Sequence, residues 1–145
     1  MRMRSRTSII AIFVCIIFVT IIVYAFVQKS IPSVVGFNSS EIRSCSIVVN
    51  GTTGHSVDFQ DQRLNALWEV LENAVVKRTG SDPSIQTPLD VTVYNLYFEK
   101  KNGKFVEAEI SNDGYFFYHG GKYEILDKGK SSIMSFLQNQ VPLQS

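Results

Sequence analysis

The sequence predicts an α+β protein: a single N-terminal transmembrane helix, then an antiparallel sheet in the order ββαββββα with a helix packed on one face. Three observations predict it. Residues 9–27, IIAIFVCIIFVTIIVYAFV, carry no charge. Residues 61–79, DQRLNALWEVLENAVVKRT, repeat apolar side chains at helical spacing. Residues 89–126 hold strand-like segments between Gly-containing turns, and FVEAEIS among them alternates cleanly.

At ~1.5 Å per residue the first run makes a helix of roughly 28 Å, against a hydrocarbon layer of ~30 Å. Ile and Val dominate it, but a lone segment in lipid must satisfy its own backbone hydrogen bonds, which selects helix. Arg2, Arg4 and Arg6 precede the run and Lys29 follows it. The positive-inside rule then makes 1–8 a cytoplasmic basic segment and puts the remainder outside, with the chain held to membrane lipid through residues 9–27. A cleaved signal peptide would have a shorter apolar region ending in small residues. The exit YAFVQKSIPS lacks that pattern, so an uncleaved anchor in the cell membrane is expected.

Residues 28–40, QKSIPSVVGFNSS, have linker composition. The extracytoplasmic α+β domain is expected over 41–141, with 142–145 a tail. EIRSCSIVVN begins it as a strand, with Ile42, Ile47, Val48 and Val49 β-branched. GTTG turns and HSVDF returns. In the helix over 61–79, Leu64, Leu67, Trp68, Leu71, Ala74 and Val75 share one arc, with Asp58 or Asp61 as cap and Gly80 as terminator. SDPSIQTP is a loop. LDVTVYNLYFEK and FVEAEIS pair across KNGK, where Asn-Gly tolerates positive φ. YFFY and KYEIL form a further hairpin, and SSIMSFLQNQV is the last helix.

The chemistry on offer is sparse. Without the three leading arginines the chain is slightly acidic, which argues against a nucleic-acid partner. Cys15 lies in the apolar run, so the outer domain has only Cys45 and forms no internal disulfide; Cys45 reads as a small buried hydrophobe, with a bridge between chains as the alternative. His55 and His119 do not make a zinc set, and no phosphate-binding glycine motif or G-x-S-x-G elbow occurs. No catalytic, metal or cofactor residues are therefore assigned. Glu107 and Glu109 share a strand face and read as solvated rather than as a glycosidase pair. Asn38 and Asn50 fit the glycosylation pattern, which matters only in a eukaryotic secretory pathway.

GYFFYHGGKYEIL, residues 114–126, is the densest stretch. Alternation puts Tyr115 and Phe117 on one face and Phe116 and Tyr118 on the other, so one pair fills the core. Phe116, Tyr118 and His119 are the candidate interaction patch. The order of parts (VDFQDQRLNALWEVL, a Pro88 loop, KNGK and the aromatic Gly hairpin) resembles small membrane-anchored extracytoplasmic domains of unknown function from Gram-positive bacteria. That resemblance implies a cell-envelope location and an accessory or sensing role. The expected function is a non-enzymatic interaction module for an envelope protein or peptide, with homo-oligomerisation left open. A small envelope hydrolase or carbohydrate-active protein, and a small-ligand sensor with a cavity under the helix, are the alternatives.

Overall fold

The computed structural model describes residues 3–49, 56–81 and 90–141, with side chains described over 8–23, 27–49, 56–80 and 90–141. An eight-stranded antiparallel sheet runs in the spatial order β1-β4-β8-β7-β6-β5-β2-β3. The strands are β1 (Lys29–Ser30), β2 (Ile42–Val49), β3 (Ser56–Phe59), β4 (Val75–Ser81), β5 (Val93–Lys100), β6 (Phe105–Ser111), β7 (Tyr115–Tyr118) and β8 (Gly121–Ile125). The helices are α1 (Met3–Phe26), α2 (Ile31–Val35), α3 (Asp61–Glu72) and α4 (Asp127–Gln140).

Two parts of the expected fold class are corrected. The first is the membrane span. Among the described residues no helix is long and apolar enough to cross a membrane. α1 is helical, and its side chains are described over residues 8–23. Those side chains stand exposed and are apolar on every side rather than along one stripe.

The second correction is the strand count. The order ββαββββα omits β1 and β4. β4 occupies residues that helical spacing assigned to the helix over 61–79. α3 ends at Glu72 because the carbonyls that follow bond elsewhere: Ala74 accepts from Ile31 N–H at 3.3 Å and Val75 from Leu126 N–H at 2.9 Å. β-branched Val75 and Val76 then continue as strand. Gly80 does not cap a helix; it lies at an irregularity where β4 pairs with β8.

The core lies between one sheet face and α2, α3 and α4. Alternation along the strands sends Cys45, Ile47, Leu96, Phe98, Ala108, Ile110 and Phe116 inward, all buried. Leu64, Leu67, Trp68 and Leu71 form the buried stripe of α3. α4 comes close to the end of α3 at Gly129, where an added Cβ would meet Ala74 Cα at 2.8 Å. Only a residue without a side chain permits that approach.

Residues 28–40 are an integral part of the fold. Besides β1 and α2 they include a 3-10 turn, Ser39–Glu41, opened by Asn38. Asn38 accepts from Ser40 N–H, and Glu41 reaches back to Asn38 N–H, both at 3.0 Å. Glu41 also pairs with Lys100 at 3.2 Å, which together with the backbone bond holds its carboxyl below its ordinary pKa. Ile31, Val35 and Phe37 are buried. Phe37 stacks on Trp68 (centroids 5.7 Å apart) and meets Phe98 edge-on (5.6 Å), and Trp68 meets Phe98 at 6.0 Å. The indole N–H of Trp68 donates to Glu72 at 2.7 Å, so the buried ring leaves no polar atom unsatisfied.

Two outcomes follow from this packing. Phe37→Ala lowers unfolding free energy by about 3 kcal/mol or more, the usual cost of a core aromatic truncation, read from urea denaturation. Cys45 is fully buried and desolvation pushes its thiol above the ordinary range, so it resists thiol reagents in the native protein and reacts in denaturant.

Candidate functional site

The backbone register of β6 creates the site. Lys100 N–H donates to Lys104 carbonyl at 2.8 Å, and β5 and β6 pair from there through Phe98↔Val106 and Leu96↔Ala108. In an antiparallel ladder this phase turns the backbone groups of Val106, Ala108 and Ile110 toward β5. Those of Phe105, Glu107, Glu109 and Ser111 point the other way, toward β7. β7 pairs with β6 only at Glu109↔Phe117, Ile110↔Phe116 and Ser111↔Tyr115. It then turns into β8 at His119 and Gly120. Among the described residues, no strand lies against Phe105–Ala108 on that side.

The result is an open notch of about 580 Å³ between β6 and the β7–β8 turn. Phe105, Glu107 and Phe117 line its outer side, Val106 and Tyr118 its inner side, and His119 its end. Phe105 is 73 % exposed, more than any other large apolar side chain among the described residues. Lys104 stands at the mouth. Lys100 also lines the notch but is already paired with Glu41 and lies over the Phe37 ring at 5.1 Å.

His119 carries the notch's backbone irregularity, with φ of +46°. This left-handed conformation is uncommon for a residue with a Cβ. Gly120 beside it has φ of +72°. The imidazole stacks on Tyr118 at 4.0 Å and 11°. The Tyr118 hydroxyl donates to the Val35 carbonyl at 3.2 Å, and its burial raises the phenol pKa. The end wall of the notch is thus braced from behind by α2.

The three patch residues expected from the sequence therefore divide by role. Phe116 is 1 % exposed and belongs to the core, packed against Tyr123 at 6.0 Å. Tyr118 is half-buried and tied to Val35, while His119 is exposed and at the notch. The sequence reading missed Phe105 and the unpaired side of β6. The signal available was the unequal length of the neighbours, seven-residue FVEAEIS beside four-residue YFFY.

The solvent face of the sheet completes the surroundings. Glu107 and Glu109 raise the Tyr97 phenol pKa, after burial itself, and Glu107 shares a hydrogen bond with it. Lys122 sits 4.0 Å from the Tyr115 ring centre. Glu99 is held by Arg43 at 3.0 Å and by Ser44 at 3.1 Å. Among the described residues no group of three His, Cys, Asp or Glu side chains could hold a metal ion. His55, the GTTG turn, Asn50 and the Pro88 loop lie outside the described residues. Beneath α3, the Phe37, Trp68 and Phe98 rings pack against one another.

No family model, curated protein or solved structure matches the chain.

The division of roles predicts two different variants. Phe116→Ala destabilises the fold by about 3 kcal/mol or more. His119→Ala, which keeps a Cβ at positive φ and loses the stack on Tyr118, costs only about 1 kcal/mol. Thermal and urea unfolding of the two proteins check this.

Proposed function

We propose that the domain is a non-catalytic interaction module that receives an extended segment of a partner protein in the β6 notch. The observation that carries this reading is the side of Phe105–Ala108 with no strand against it, set beside an exposed Phe105. A peptide strand added there gains main-chain bonds from Phe105 and Glu107, each offering one N–H and one C=O. Its alternate side chains reach the outer face between Phe105 and Phe117, where an apolar residue fits. Glu107 and Glu109 favour a basic neighbour in that segment. The sequence-based tether to a membrane is not part of the proposal.

The test is selection of random linear peptides on the folded protein, followed by affinity measurement on two variants. Glu107→Pro removes an N–H that points away from β5, so the β5–β6 ladder survives; Phe105→Asp replaces the exposed ring with a charge. Selected peptides weaken at least about tenfold on each variant, reflecting the lost backbone bond and the lost apolar contact. The absence of any enriched peptide, or binders indifferent to both substitutions while circular dichroism is unchanged, overturns the proposal.

A further inference from the structure

The β6 notch is closed at one end and open at the other. β7 pairs Phe117 with Glu109, so Tyr118 follows in the same column, alongside Ala108. A strand laid against Phe105–Glu107 stands in line with β7 and meets Tyr118 end-on. Tyr118 is tied to the Val35 carbonyl at 3.2 Å, and the left-handed turn at His119 and Gly120 fills the space behind it. Beyond Phe105 the chain turns back to β5, and among the described residues nothing else stands in that column. The uncovered run from Phe105 to Ala108 measures roughly 10 Å, room for about three residues. A chain continuing past Tyr118 would have to bend out of the sheet, whereas a chain end simply stops there.

Direction decides which end. Antiparallel addition runs as β7 does and brings an α-amine to the closed end; parallel addition brings a carboxylate. Antiparallel pairing is the more stable per residue. Charge selects the same end. Glu107 is exposed beside the closed end. Its carboxylate shares a hydrogen bond with Tyr97, and a carboxylate accepts up to about four, so capacity for an ammonium is left. Glu109, engaged by a neighbour of its own, is a second acidic group along that face. Lys104, exposed at the mouth, disfavours an amine there.

We infer that the notch captures a free N-terminus: the α-amine and first two or three residues of a partner chain. This rests on the reading of the notch as a place for strand addition. The first residue stands opposite Glu107, where its ammonium donates to the Glu107 carbonyl and reaches the carboxylate. Its C=O accepts from Glu107 N–H. Its side chain lies on the outer face between Phe105 and Phe117, so an apolar first residue fits.

Three synthetic peptide libraries presented to the full chain test this: free amine with amidated C-terminus, acetylated with free carboxylate, and blocked at both ends. Binders are expected from the first. Acetylating a selected peptide weakens it at least about tenfold, because a charge-assisted bond is lost and the acetyl group meets Tyr118. Glu107→Gln keeps the backbone and costs free-amine peptides about threefold, the scale of an exposed ion pair, and acetylated ones nothing. Blocked or carboxylate-ended peptides that bind as tightly, yet weaken on Phe105→Asp, overturn the N-terminal assignment and leave strand addition standing. An undiminished free-amine preference in Glu107→Gln overturns the role given to that carboxylate. No binder from any library, or binders indifferent to Phe105→Asp and Glu107→Pro, overturns the notch reading as well.

Discussion

The contact of Phe37 with Trp68 and Phe98 is the interaction on which the architecture depends. It joins three parts of the chain that local preferences leave independent: the segment before β2, the helix α3 and the centre of the sheet. Aromatic pairs at these separations add to simple burial because ring edges meet ring faces. Once Phe37 is seated, the 3-10 turn behind it delivers Glu41 to Lys100. Lys101 N–H in turn donates to the Glu41 carbonyl at 2.8 Å. The entry of the domain is thus fastened to the β5–β6 hairpin, and α2 is held where Tyr118 can reach Val35.

This fastening is what shapes the notch. A hairpin as long as β5–β6 beside a shorter β7–β8 leaves backbone groups uncovered, and such groups normally invite closure by the nearest chain. Here Tyr118 is drawn inward by Val35, and the turn at His119 follows it away from β6. The left-handed backbone of His119 is the local cost of that departure. The opening is therefore a product of packing on the opposite face of the sheet.

Much of this was legible in residue order. The alternation of FVEAEIS, the Asn-Gly turn and the stripe from Leu64 to Leu71 each correspond to an observed element, because local period and burial agree there. The boundary at Glu72 was not legible. Ala74 and Val75 continue the helical stripe by spacing alone, and only partners distant in sequence, Ile31 and Leu126, claim their carbonyls. The segment 28–40 was misleading for a related reason: Pro32, Gly36 and the serines resemble a spacer, yet Pro32 opens α2 and Gly36 ends it with φ of +75°. The patch residues were partly legible, since alternation separates Phe116 from Phe117 but does not say which face a helix covers. The notch was invisible because it exists only as a difference between two hairpins.

The margins of the sheet carry a further consequence. One outermost strand, Lys29–Ser30, has two residues, and the other, Ser56–Phe59, has four and presents Asp58, held by Ser46 at 2.6 Å. Among the described residues, margins this brief, each carrying a charged side chain, are poor templates for stacking copy upon copy into fibrils. A protein built this way can keep a recess ready for a foreign strand and still resist polymerising with itself.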